Sequence, residues 1–130
     1  YTRYIAVEDV GNVMNPMLLK GQLHGGIVQG IGQVYLENVA FDEHAQLLSG
    51  SFMDYAMPRA DDMLNFEIES SPVPTAKNPL GVKGVGEAGT VGALAAATSA
   101  LHDALAPLGV DHVPMPATPE QIWRALRAVA

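Results

Sequence analysis

Cysteine is absent from all 130 residues. That excludes disulfides, iron–sulfur ligation by this chain and a thiol nucleophile. A reducing compartment is compatible with it, and a cytoplasmic location is expected. Basic residues are scarce as well: seven Lys and Arg stand against fourteen Asp and Glu. They form no cluster, so neither a nucleic acid nor an anionic membrane is expected as a partner. No uninterrupted apolar run reaches the roughly 18 residues of a membrane span. An initiator Met and a signal-peptide pattern are missing too. Tyr1-Thr2-Arg3-Tyr4-Ile5 starts like the middle of a strand, and a fragment of a longer polypeptide, cut upstream, is expected.

What is present fits one packed domain over residues 1–130. Hydrophobic residues make up 48% of the chain, enough for a globular core and too many for disorder. Tyr4 to Val10 reads as a strand ended by the turn pair Gly11-Asn12. Asn15-Pro16 then opens a long helix, with proline at a first-turn position where its missing N–H costs little. Leu23, Ile27, Ile31 and Val34 fall at helical spacing and form its apolar line. The other face carries Gln22, Gly26, Gln29, Gly30 and Gln33. Glycine inside a helix costs roughly 1 kcal/mol relative to alanine, so something must lie against that face. Two readings stand: another backbone packed closely, or a flat polar ligand met by the uncharged amides. His24, between the two faces, reads as a structural residue.

Residues 38–46 form a polar connector. Leu47 to Met57 is expected to be extended, and Phe66 to Glu69 alternates as a half-buried strand does. Prolines 72, 74 and 79 lead extended chain into a glycine-rich loop. From Val91 a helix is expected, capped by Thr90, with Val91, Leu94, Thr98, Leu101 and Leu105 on its buried face; Pro107 and Gly109 end it. The last helix is marked by Thr118, Pro119 and Gln121 as cap, first turn and capping-box partner. Ile122, Leu126 and Val129 are its expected stripe, with Trp123 beside them. The order β, α, β, β, loop, α, α argues for an α+β fold, helices packed on a small, mainly antiparallel sheet.

The chemistry concentrates in Asn78-Pro79-Leu80-Gly81-Val82-Lys83-Gly84-Val85-Gly86-Glu87-Ala88-Gly89. Gly84 to Gly89 literally matches G-x-G-x-x-G. A dinucleotide site needs an apolar strand directly before that fingerprint, and three prolines stand there instead. No Gly-Lys-Ser/Thr supports a phosphate loop, and no Gly-x-Ser-x-Gly supports a nucleophilic serine. Histidines 24, 44, 102 and 112 lack paired ligand spacing. What remains is Glu87, a carboxylate expected to be buried among small uncharged neighbours and to act as a general base. A metal-bound water or hydroxide is a natural acid for it, the metal being held by something other than this chain. The alternative is a plain connector whose acid sits at a helix N-terminus.

Three ordered motifs carry a resemblance. Gly21-Gln22-Leu23-His24-Gly25-Gly26-Ile27-Val28-Gln29-Gly30-Ile31-Gly32, then Gly50 to Pro58 (GSFMDYAMP), then Asn78 to Gly89, resemble the C-terminal end of the molybdenum hydroxylases. This is the xanthine dehydrogenase and aldehyde oxidase family, and the likeness is closest to its bacterial branch of carbon monoxide dehydrogenase large-subunit-like chains. It runs from Tyr4 to Leu126. The resemblance implies the C-terminal part of a molybdopterin-binding domain in a much longer subunit. It also implies that Glu87 is the catalytic base, deprotonating a molybdenum-bound hydroxide that attacks an electron-poor carbon. Gln29 would hydrogen-bond the pterin, and Gly86 and Ala88 would shape the backbone beside the metal. The implied cofactor is molybdopterin cytosine dinucleotide. The implied partners are the rest of the subunit, a 2Fe-2S subunit and a FAD subunit. Aldehydes, N-heterocycles and carbon monoxide all remain open as substrates, and the fragment alone is expected to be inactive. A non-catalytic scaffold keeping the fold is the competing reading.

Overall fold

The computed structural model describes residues 1–130. Strand β1 (Ile5–Glu8) is followed by helix α1 (Pro16–Tyr35), strand β2 (Glu67–Ser70), helix α2 (Ala88–Leu105) and helix α3 (Pro119–Val129). The α+β class is as expected. The strand pairing is not antiparallel: β1 and β2 form a two-stranded parallel sheet, Ile5 opposite Glu67 through Glu8 opposite Ser70. The reason is the connection. α1 and the long segment after it carry the chain back across the sheet, and such a crossover delivers a parallel neighbour, whereas antiparallel pairs arise from tight turns.

α1 lies at the centre. Asn15 caps it, its side chain accepting from the Leu18 N–H at 3.1 Å, and Pro16 occupies the first turn as expected. The apolar line Leu23, Ile27, Ile31 and Val34 is buried throughout. Ile27 and Ile31 meet Phe66 beside the sheet and Ala93 on α2, with Tyr4, Ala6 and Ile68 closing the cluster. Thus α1 is sandwiched between the sheet and α2. His24 packs edge-on against Phe66, ring centroids 5.4 Å apart, as a structural residue would, but its Nε2 is buried without a hydrogen-bond partner.

The glycine face of α1 resolves in favour of close packing. A Cβ on Gly30 would come within 2.6 Å of the Ala93 Cβ, and one on Gly26 within 3.0 Å of the Thr90 backbone nitrogen. The partner surface on α2 is Gly89, Ala93 and Ala97, all buried. This corrects the expected face of α2 in part. Leu105 is buried as expected and Leu94, Thr98 and Leu101 are half-buried, but Val91 is 80% exposed, because small residues alone let two helix axes approach this closely. The start of α2 also differs. The helix begins at Ala88 with Glu87 in the cap position, and Thr90 lies inside the first turn.

A second core forms from Leu105, Val110, Val113 and Ala117, against which Ile122, Ala125 and Leu126 of α3 pack. Thr118 caps α3 and Pro119 follows, as the sequence indicated. Trp123 and Val129 stay outside, the former under the Arg127 guanidinium. Gly109 ends the α2 region in the left-handed conformation. Leu47 to Met57 is not a strand. Apart from a single bridge between Phe41 and Leu47, it turns on itself, with the Tyr55 N–H donating to the Ser51 carbonyl and the Ser51 hydroxyl to Asp54. Short polar side chains that satisfy the backbone locally compete with strand pairing in this way. The stretch Ala88–Leu108 is long and apolar enough, by length and composition, to cross a membrane. Alanine and leucine supply most of that apolarity, and of its small residues Gly89, Ala93 and Ala97 serve the packing on α1.

Candidate functional site

The glycine loop is stapled to the end of β1. Asn12 donates its N–H to the Gly81 carbonyl at 3.0 Å and its side-chain amide to the Leu80 carbonyl at 2.8 Å. The Lys83 N–H reaches the Val10 carbonyl at 2.9 Å. Gly11 and Gly81 both hold φ of 65°, and a Cβ on Gly11 would collide with the Gly81 carbonyl. These two glycines are required by conformation and by space. Asn78 closes the turn, its side chain bonding both the N–H and the carbonyl of Val82.

Asp9 fastens the loop electrostatically. Its Oδ2 accepts from Lys83 Nζ at 2.5 Å, and its Oδ1 accepts from the Gly11 and Val73 N–H groups at 3.0 and 2.9 Å. The Lys83 ammonium first, then those two amides, hold the Asp9 carboxyl at about 2, below its usual 3.8.

Beyond Lys83 the staples stop. The N–H groups of Gly84, Val85, Gly86 and Glu87 make no hydrogen bond within the chain, and a Cβ on Gly84 or Gly86 would meet nothing within 4 Å. Two amides of α1 border this lip. Gln22 donates its Nε2 to the Gly86 carbonyl at 3.2 Å. The Thr90 hydroxyl lies 3.0 Å from the Gly26 carbonyl and 3.3 Å from Gln29 Oε1. The hydroxyl proton is shared between these acceptors or given to the nearer one; in either case the Gln29 Nε2 group makes no hydrogen bond and stays available as a donor. Gln22, Gly26 and Gln29 are thus one stripe of α1, at i, i+4 and i+7, facing Gly86 to Thr90.

The structure therefore places Gln29, Gly86, Glu87 and Ala88 along one edge. Gln29 and Gly86 are exposed, and Ala88 is half-buried as the first residue of α2. Glu87 is exposed, contrary to the expected burial, and its side chain makes no cap bond. Glycine neighbours carry no side chains with which to wall it in. Sequence reasoning missed the Asp9–Lys83 pair, which joins residues 74 apart with no local signal. It also missed the Gln22 bond, although Gln22 had been placed on the same face as Gln29.

As a receptacle the edge offers uncharged donors: four backbone N–H groups and the Gln29 amide. These suit a large polar group rich in acceptors, as a pterin is. No cluster of three or more His, Cys, Asp or Glu could hold a bare metal ion, so a metal here would have to arrive within its own organic ligand.

Comparison with known proteins agrees. The profile of the molybdopterin cofactor-binding domain matches residues 1–64. The nicotine 6-hydroxylase large subunit of Paenarthrobacter nicotinovorans is 42% identical over 124 residues, 95% of this chain and 15% of that protein. The carbon monoxide dehydrogenase large chain of Hydrogenophaga pseudoflava is 36% identical over 96% of this chain and 16% of its own length. Among solved structures, quinoline 2-oxidoreductase from Pseudomonas putida 86 superposes with a TM-score of 0.89 at 42% identity, covering 97% of this chain and 16% of that one. Reconstituted CO dehydrogenase from Oligotropha carboxidovorans gives a TM-score of 0.91 at 32% identity, over 98% and 16%. The chain spans 15–16% of the length of the two relatives compared by sequence. With fold, motifs and relatives in agreement, the chain belongs to the molybdenum hydroxylase family, as a segment of its molybdopterin-binding large subunit.

Proposed function

We propose that this chain is the base-bearing segment of a molybdenum-dependent oxidoreductase that hydroxylates an aldehyde or N-heterocycle, or oxidises carbon monoxide. One observation carries the reading: Glu87 and the unpaired Nε2 donor of Gln29 share a lip with four unpaired backbone donors. The molybdenum cofactor, proposed as molybdopterin cytosine dinucleotide, supplies two-electron redox chemistry when bound.

The chain's own contribution is positional and acid–base. Gln29 offers its amide to the pterin. Gly86 and Ala88 keep the backbone on either side of Glu87 free of bulk, so that a reacting atom can come close. Glu87 makes no ion pair, so both carboxylate oxygens are free to accept a proton, the role of a general base. The rest of the subunit supplies the walls that Glu87 lacks here. A 2Fe-2S subunit and a FAD subunit are proposed to take the electrons onward in a cytoplasmic complex, since a cysteine-free segment ligates no cluster.

The test is made on the complete parent subunit from its own host. Near-stoichiometric molybdenum with CMP released on hydrolysis is expected. Glu87→Gln, which keeps shape and removes the base, is expected to retain the metal and lose turnover by at least about 100-fold, within the range general acid–base groups contribute. Absence of molybdenum from the folded parent protein, or full turnover in Glu87→Gln, would favour a non-catalytic scaffold.

A further inference from the structure

The lip contains one interaction that the base assignment leaves unused. Gln22 sits in the second turn of α1, exposed, and donates to the Gly86 carbonyl at 3.2 Å. That carbonyl belongs to the peptide unit whose nitrogen is Glu87. Orienting this plane orients the Glu87 N–H and the start of its side chain, because the six atoms of a peptide move together. On the far side of Glu87, Thr90 is fixed to the Gly26 carbonyl one turn further along the same helix. Between these two bonds the segment is otherwise held only by its own turn: the Ala88 N–H donates to the Val85 carbonyl at 3.2 Å, and the Thr90 and Val91 N–H groups donate to the Glu87 carbonyl at 3.0 and 3.1 Å. The N–H groups from Gly84 to Glu87 are unpaired. Gly84 and Gly86 add no side-chain contact to restrain it.

We infer that Gln22 is a positioning residue for Glu87, setting the Gly86–Glu87 peptide so that the carboxylate faces the reacting atom. The inference rests on the proposed role of Glu87. The Gly86 carbonyl could be met by water in its absence, so Gln22 is not needed for the fold. It lies on the surface of α1, away from the buried line. Its loss frees a glycine-rich segment whose backbone has few constraints of its own, and misplacement of a reacting group by about 1 Å can lower a rate by about 100-fold.

The experiment compares the full-length parent complex with Gln22→Glu, which keeps the length and loses the donor, and Gln22→Lys, which restores a donor of similar reach. Gln22→Glu is expected to keep its molybdenum and to lower kcat about 10- to 100-fold with KM within about twofold. Hydrogen–deuterium exchange on the cofactor-free parent chain gives a readout independent of turnover. The Ala88 amide, which donates to the Val85 carbonyl at 3.2 Å, should exchange faster in Gln22→Glu, and Gln22→Lys should recover both rate and protection. Unchanged exchange, or unchanged kcat while Glu87→Gln is inactive, overturns the positioning role alone. Full activity in Glu87→Gln overturns the base assignment on which it rests.

Discussion

At the residue scale the decisive side chain is one that does no chemistry. Asp9 directly follows β1 and gathers three donors, from Lys83, Gly11 and Val73, so one carboxylate joins the glycine loop to two other segments beside the sheet. Opposite charge and hydrogen bonding to the ionised form both lower a carboxyl's proton affinity. The folded value of about 2 lies below the unperturbed 3.8, so the sign is fixed: Asp9 stabilises the folded state above about pH 4, and that contribution is lost as the pH falls through about 2. Asp9→Asn should therefore melt below wild type at neutral pH. The gap in Tm should close when the two parent proteins are compared across pH 5 to 2. A gap that stays constant over that window would assign the effect of the substitution to packing. Lys83→Met should reproduce the neutral-pH loss, since it removes the largest of the three contributions.

At the element scale the α1–α2 contact sets the geometry of the lip, and it is made of absences. Gly89 is pressed against α1 so closely that a Cβ there would meet the Leu23 carbonyl and come within 3.0 Å of the Ile27 nitrogen. Both neighbours are helix backbone and cannot rotate away, so Gly89→Ala should destabilise by about 1–3 kcal/mol, the usual scale of overpacking. Gly92 lies on the same helix with nothing near its missing Cβ. There alanine only removes backbone freedom from the unfolded chain, and Gly92→Ala should stabilise by about 0.5–1 kcal/mol. Thermal unfolding of the two variants separates the cases; equal effects would mean that the helices are not in the observed contact. The same contact explains what could be read from sequence. α1 and α3 were legible because Asn15-Pro16 and Thr118-Pro119 punctuate them, and Leu23 to Val34 mark a buried line with large side chains. The buried face of α2 was legible only at Leu105, because hydrophobic periodicity weighs Val91 above Ala93 while close packing does the reverse. The sheet's direction was hidden for another reason. Alternation in Phe66 to Glu69 announces a strand but not its neighbour, and β1 adds no sign of direction, since exposed Ile5 and Val7 alternate with half-buried Ala6 and Glu8. Of the candidate site, the loop and Glu87 were legible because glycines and a lone acid stand out in any sequence. The tethers were not, because Asp9 with Lys83 and Gln22 with Gly86 meet only after α1 has folded back along the sheet.

At the scale of the whole molecule, area decides. A compact monomer of 13.7 kDa exposes about 6,600 Å² by the usual scaling. This chain exposes 8888 Å² and buries only 18 of its 130 residues. The excess, about 2,300 Å², is the size of a large protein–protein interface. Its apolar part is conspicuous: Met53 is 93% exposed, Phe52 and Val91 80%, and Met17 76%. Excess area of that size, with large apolar side chains this open, is what a surface covered by further protein shows when it stands alone. The lip has the same character, since Glu87 and Gln29 stand on an edge with no opposite wall. A cofactor held from one side only gains part of the contacts a buried ligand needs. The isolated 130-residue chain is therefore expected to bind a dye specific for exposed apolar surface, to self-associate at micromolar concentration, and to retain neither stoichiometric molybdenum nor turnover. Size-exclusion chromatography, dye fluorescence and metal analysis on the same preparation check this together. A monodisperse, dye-negative monomer carrying one molybdenum per chain would mean that the open faces are self-sufficient, and that the walls around Glu87 are not required to hold the cofactor.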